Sequence, residues 1–372
     1  MLTRVYIDNF RCLSNFELRP ARINLLLGPN GSGKSSFFDV ITAIVGLMRD
    51  GREIAELLPA STLTSWDNRR EQRFELDVHL SNANKPHRYL LRVDQDVETG
   101  RSAIVEERVT KGEKTLYLYA DGQVHLYNNA GREGAQFPFR PTRSFIAELE
   151  PRPENSSLIN MREFLFGARI LRLNPASTRS VSEEEAPRLE RDGKNFASWY
   201  RHLVQERAGE LHSVFAELRE VVPGFRQLKL LGAGNQGRTK DLLVELDGPS
   251  GEPYPIAFQD LSDGQRVLIV LYALLVDIRR SSTLLLLDEP ENYLSLTEIQ
   301  PWLSALDQAL GDHGQLLLIS HHPEVIDFLA AERPLLFARD GLGPVRVGDP
   351  GFDRESGLKA SEQVVRGLTD GK

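Results

Sequence analysis

Short alternations of apolar and polar residues dominate the first half of this chain, and unbroken apolar runs mark its last third. The alternation at residues 3–7 and the run Ile23–Leu27 predict two strands; Gly28 to Gly33 then break the pattern, and residues 34–48 resume with helical spacing. Strand, glycine-rich loop and helix therefore follow one another. Between residues 70 and 130 the segments FELDVHL, RYLLRV, TLYLYA and QVHLY alternate with period two and are parted by Asn, Gly, Lys and Asp, which predicts an antiparallel meander. PRPENSS at 151–157 reads as a hinge loop and SEEE at 182–185 as a solvated acidic turn or helix start. Phe196, Trp199, Tyr200 and Leu203 share a helical face within residues 195–218; PGF from Pro223 ends it, and strands are expected near 228–231 and 242–246. In the last third, TLLLLDEP from Thr283 and QLLLIS from Gln315 have the continuous apolar character of strands covered on both faces. There is no internal repeat and no heptad run that would make a coiled-coil arm.

Composition narrows the setting more than the chemistry. A chain of 372 residues has room for one large domain or two lobes that share a core. The longest apolar run, residues 267–276, falls short of the roughly 18 residues of a membrane span, and MLTRVYIDNF lacks a signal-peptide core, so a cytoplasmic place without membrane contact is expected. A single cysteine, Cys12, excludes an internal disulfide framework and a cysteine-based zinc site. A net charge of -8 gives no global pull toward nucleic acid, so DNA contact would need a local patch. Arg69, Arg70 and Arg73, Arg140 and Arg143, and Arg162, Arg169 and Arg172 are the candidates, with a scattered solvated face as the alternative.

Four motifs carry chemistry. Gly28-Pro29-Asn30-Gly31-Ser32-Gly33-Lys34-Ser35, with Ser36 behind it, matches the phosphate-loop spacing and lies after a predicted strand and at the start of a helix, where phosphate binding requires it. Its backbone N–H groups would cradle phosphate oxygens, Lys34 would bridge the β- and γ-phosphates, and the Ser35 hydroxyl would bind Mg²⁺. Asp288 and Glu289 are delivered together at the end of an apolar strand. The first suits Mg²⁺, through water, and the second suits the base that orients or deprotonates attacking water. Leu261-Ser262-Asp263-Gly264-Gln265 opens a helix, residues 265–278, that is apolar nearly all round; a serine hydroxyl and glycine-exposed N–H groups at its positive end suit a γ-phosphate. Ser320-His321-His322-Pro323 ends the second apolar strand and offers an imidazole to sense a terminal phosphate, His321 first and His322 as the fallback.

In this order the phosphate loop, LSDGQ, LLLLDEP and SHHPE resemble the ABC-type P-loop ATPases. The opening Ile7-Asp8-Asn9-Phe10-Arg11 narrows the resemblance to the SMC/RecF/OLD-like branch associated with DNA repair, chromosome maintenance and phage defence. DEPENYL from Asp288, and DGKNFASW from Asp192 before the PGF turn, resemble the compact prokaryotic AAA-type SMC-like ATPases. The resemblance implies an α/β head with a mostly parallel sheet, an antiparallel β lobe and a helical lobe. It also implies a homodimer in which Lys34, Ser35, Asp288, Glu289 and His321 of one subunit face Ser262 and Gly264 of another across ATP. Arg11 would touch the phosphates. Ser295 stands where transporters usually carry the D-loop aspartate, so that role is not carried over. No glutamine matches the Q-loop, for which residues 140–150 are the expected stretch.

Residues 1–372 are thus expected to form one bilobed head, with the meander at 70–130, an inserted helical and strand region at 150–260, and the signature, Walker B and H-loop half at 261–340. The expected function is an ATP-hydrolysing switch in genome maintenance or antiviral defence that controls DNA or a nuclease or toxin partner. The chain ends soon after SHHPE, which leaves too little for a C-terminal Toprim nuclease, so cutting is expected of a separately encoded effector. The alternative is the motor subunit of a membrane transporter, whose heads share the phosphate loop and the LSDGQ-type signature.

Overall fold

The computed structural model describes residues 1–81, 83–233, 238–279 and 283–369. Among these, three sheets form. The central one holds β10 (Arg169–Leu171), β15 (Leu284–Asp288), β16 (Gln315–Ile319), β3 (Ile23–Leu27), β17 (Leu335–Arg339) and β18 (Val345–Gly348), in that order, with only the last pair antiparallel. Every residue of β3, β15 and β16 is buried, because helices or the second sheet cover both faces; this is why these strands read as apolar runs without alternation.

The antiparallel sheet runs β2 (Phe16–Leu18), β1 (Leu2–Asp8), β4 (Glu71–Val78), β5 (His87–Asp96), β6 (Arg101–Lys111), β7 (Lys114–Ala120), β8 (Gln123–Tyr127) and β9 (Glu133–Pro138). The expected meander is present, and the N-terminal strand joins it. The third sheet centres on β13 (Thr239–Asp247), flanked by β12 (Phe225–Ala233), β14 (Pro253–Ala257) and the short β11 (Val181–Ser182).

Two apolar cores lie on opposite faces of the central sheet. Leu26, Leu284, Leu286 and Leu317 pack with α1 (Lys34–Asp50), α2 (Ile54–Leu57), α3 (Ser156–Phe166) and the antiparallel sheet. Leu25, Leu27, Leu285, Leu287 and Leu318 face the other way, against α4 (Phe196–Glu206), α5 (Ala208–Val221), α6 (Asp263–Ile278), α7 (Leu296–Leu310) and α8 (Pro323–Leu329). α6 is buried from Val267 to Val276 because it is wrapped by neighbours, including α4, α5 and α7, which accounts for its lack of a polar face. Truncating one of these buried leucines to alanine would cost about 2–5 kcal/mol. The packing therefore holds the C-terminal ends of β3, β15 and β16 side by side, and the motif residues emerge there.

Candidate nucleotide site

The phosphate loop is shaped by three glycines with left-handed backbone, at φ 136 for Gly28, 78 for Gly31 and 95 for Gly33. At two of them space also forbids a side chain: a Cβ would lie 2.2 Å from the Phe337 carbonyl oxygen at Gly28 and 2.8 Å from Val345 Cγ2 at Gly33. Gly33 caps α1 without any side-chain acceptor, so the first N–H groups of the helix stay open to an anion. Lys34 is 6% exposed and folds over the loop, its Nζ donating to the Gly28 carbonyl at 2.6 Å and the Pro29 carbonyl at 3.1 Å. Burial lowers its pKa, while Glu289 and Asp288 pull it back up.

Asn30, Gly31, Ser32, Gly33, Lys34, Ser35 and Ser36 line one cavity of about 380 Å³ together with Asp288, Glu289, Ile319 and Arg172. Asp288 is 3% exposed, and its Oδ2 is buried with no hydrogen-bond partner among the described residues. Burial raises its pKa, and Arg172 and the Ser35 hydroxyl act in the opposite direction. An orphaned buried carboxylate oxygen beside a serine hydroxyl fits a hard, oxygen-seeking cation such as Mg²⁺, and the bare glycine cradle fits a polyphosphate.

Glu289 takes a left-handed backbone, φ 50, fixed by its N–H donating to the Ile319 carbonyl at 2.9 Å. That bond ties it to the strand bearing the histidines. Its Oε2 accepts from Asn292 Nδ2 at 2.9 Å, and its Oε1 lies 3.7 Å from His321 Nε2. Burial and Lys34 lower the His321 pKa, opposed by Glu289 and Asp288, which favours a neutral imidazole. His322 is occupied differently: its Nδ1 accepts the Glu324 N–H at 3.2 Å and caps α8.

Some expected residues lie apart from this cavity. Ser262 caps α6 in a reciprocal box with Gln265 and is exposed, while Gly264 presses so closely on Tyr293 that a Cβ would sit 2.6 Å from its carbonyl oxygen. Neither lines the cavity. Arg11 reaches Ser36 Oγ at 3.4 Å but is paired to Asp39 at 2.6 Å, and Arg191 holds the other oxygen of that carboxylate at 2.7 Å. Ser295 caps α7 in a box with Glu298.

One expectation needs correction. Residues 145–148 of the expected Q-loop stretch form a short 3-10 turn packed on α1, and residues 140–150 do not line the cavity. On the edge of β15 away from β16 lies β10, and it delivers Arg172, whose Nε is 3.9 Å from Asp288 Oδ2. A strand of three residues has no readable period, so only the sheet order reveals Arg172 as a site residue. The arginine clusters follow the alternative stated for them, a scattered solvated face, in which most members pair with neighbouring carboxylates. Arg69 holds Asp8 and Asp67, Arg70 lies near Asp94 and Asp96, Arg73 holds Glu75, Arg140 holds Glu148 and Arg143 holds Glu53. Arg162 is buried on the Ile146 and Leu149 carbonyls, and Arg169 pairs with Asp277.

With this geometry in place, comparison with known proteins identifies the fold. Residues 23–327 match the family model described as AAA domain, putative AbiEii toxin, Type IV TA system. A crystal structure of an SMC head bound to the C-winged helix domain of ScpA is similar over 96% of this chain and 99% of its own, at TM-score 0.59 and 14% identity. An SMC head with an extended coiled coil, bound to the C-terminal domain of ScpA and derived from Pyrococcus furiosus, is similar over 99% of both chains, at TM-score 0.54 and 11% identity. No curated protein sequence matches the chain. The fold is that of an SMC head-like P-loop ATPase.

Proposed function

We propose, from the premise that this chain belongs to the AAA-domain family described as putative AbiEii toxin of a type IV TA system, that it is a Mg-ATP-dependent ATPase switch. On ATP it pairs head to head and controls a separately encoded nuclease or toxin. One observation carries the reading: the phosphate loop, Asp288 and Glu289 converge on a single cavity, with His321 3.7 Å from Glu289. Lys34 exchanges its loop carbonyls for the β- and γ-phosphate oxygens. Ser35 and Asp288 would hold Mg²⁺, which when bound offsets the charge of the transferring phosphoryl group. Glu289, steered by Asn292 and His321, takes the proton of the attacking water, and the neutral His321 reads the terminal phosphate. Ser262 and Gly264, at the exposed start of α6, would meet the phosphates bound by a partner.

The commitment of the arginine clusters to carboxylates and carbonyls favours a protein effector over duplex DNA as the controlled partner. A cytoplasmic place is part of the reading; no described helix is long and apolar enough to cross a membrane. The test is ATP binding and turnover in Lys34→Ala and Glu289→Gln. The first is expected to abolish binding or hydrolysis. The second should keep binding, slow hydrolysis roughly 10² to 10⁴ fold and trap the dimer, so that an effector co-purifies with it from native cells and not with Lys34→Ala. Equal turnover in Glu289→Gln and the parent chain would remove Glu289 as the base.

A further inference from the structure

We propose that the indole of Trp66 is the base-stacking platform of the nucleotide site; this rests on reading the phosphate loop as an ATP site. Trp66 is 45% exposed, whereas the other two tryptophans, Trp199 and Trp302, are fully buried. A single exposed aromatic ring is ordinary on a protein surface, but the backbone turn that carries this one is braced from several sides. It rides on the turn at residues 64–67, closed by the Asp67 N–H donating to the Thr64 carbonyl at 3.0 Å. The buried Asn9 holds that turn, its Oδ1 accepting the Thr64 N–H at 3.2 Å and its Nδ2 donating to the Arg69 carbonyl at 2.7 Å. The Arg11 N–H donates to the Thr62 carbonyl at 2.7 Å, and Arg69 clamps Asp67 at 2.6 Å. The Asn9-Phe10-Arg11 segment therefore serves the tryptophan loop as well as the phosphate loop.

Arg339 joins the two. Its Cζ lies 5.7 Å from the centre of the Trp66 ring, and its guanidinium has no carboxylate partner among the described residues. Instead it donates to the carbonyls of Gly343 at 2.9 Å, Leu342 at 2.7 Å and Gly31 at 3.2 Å, the last within the phosphate loop. The indole thus stands one guanidinium away from the loop, within the reach of a nucleotide whose phosphates lie along Gly31 to Ser35. Arg339 lies over the ring as a cation against its π-face, and the exposed remainder offers a flat apolar surface to a nucleobase. Because every base has a π-face, such a platform adds affinity for the base end of the nucleotide and none for the phosphates.

The test uses the full chain titrated with Mg-ATP and, separately, with inorganic tripolyphosphate, reading both tryptophan fluorescence and ligand retention. ATP is expected to quench the fluorescence of Trp66, and tripolyphosphate to bind without that quench. Trp66→Ala should weaken ATP binding roughly tenfold, leave tripolyphosphate binding unchanged and remove the quench, while Trp66→Phe restores most of the affinity. Unchanged ATP affinity in Trp66→Ala, or equal losses for ATP and tripolyphosphate, would overturn the proposal while leaving the ATP site intact. If the parent chain binds neither ligand, the nucleotide reading itself fails and Trp66 falls with it.

Discussion

Glu291 is 3% exposed and accepts the Ser320 hydroxyl, so it anchors the residue immediately before His321. Ser320 Oγ in turn accepts the His322 N–H at 3.0 Å. The carboxyl itself is pushed up to about 7 by burial, and its Oε2 has no hydrogen-bond partner among the described residues. Glu291→Ala should therefore release His321 from Glu289 and lower kcat on the order of tenfold with little change in KM for ATP, while Glu291→Gln, which keeps an acceptor for Ser320, stays near the parent rate. Steady-state kinetics of the two variants check this; an undiminished kcat in Glu291→Ala would mean that His321 is held from elsewhere. Lys34, Ser35, Asp288, Glu289 and His321 were legible in the sequence because each sits inside a contiguous motif whose strand and helix context was itself readable. Arg172, Glu291 and Trp66 were not, because their meaning depends on Asp288, Ser320 and Arg339, partners that only the folded sheet order supplies.

At the scale of elements, the apolar runs of β3, β15 and β16 mark them as strands, whereas β6 carries no such mark although it is 11 residues long. The pairing of β5 with β6 shifts register between Arg92 and Val93, leaving Val105 unpaired and 39% exposed, and the next inward position is the charged Glu107. A bulge plus an acid at a core position destroys the alternation by which a strand is recognised. Glu107 is fully buried and accepts from Tyr89 at 2.9 Å, Tyr117 at 3.1 Å and Ser144 at 2.8 Å; Ser144 caps the short turn that packs on α1. Burial pushes the carboxyl from 4.5 up to about 7, against the pull of these three hydroxyls. Between those values the folded chain keeps a proton that the unfolded chain has released, so this group makes stability fall as pH rises from about 4.5 to about 7, and adds no slope above that. Glu291 has the same sign. Urea unfolding at pH 5 and pH 8 should show a decline in the parent chain, on the order of 3 kcal/mol per such carboxyl at most, and a shallower decline in Glu107→Gln. Parallel declines would show that Glu107 is ionised throughout.

On the scale of the whole molecule, the cavity holds the cradle, the carboxylates and Arg172, while the serine and glycine of LSDGQ are displayed elsewhere on the same chain. Gly264 rests on the Tyr293 carbonyl, in the loop that leaves Asp288 and Glu289, so the displayed signature is mechanically tied to its own chain's carboxylates. Beside it Tyr293 and Leu296 are 43% and 60% exposed, an apolar pair suited to burial against a second copy. If two chains complete each other's sites, a defect in the phosphate loop and a defect in the signature can be separated onto different subunits. Lys34→Ala and Ser262→Arg should each be inactive alone. A mixed dimer of the two contains one site built from an intact loop and an intact signature, so an equal mixture is expected to recover up to about a quarter of the parent ATPase on statistical pairing. Recovery should rise with total protein concentration, since it requires association. A mixture as silent as its components, under conditions where Glu289→Gln forms an ATP-bound dimer in light scattering, would show that the signature does not act across the interface. The same mixture, followed at increasing concentration, therefore decides whether this head works singly or only as half of a composite enzyme.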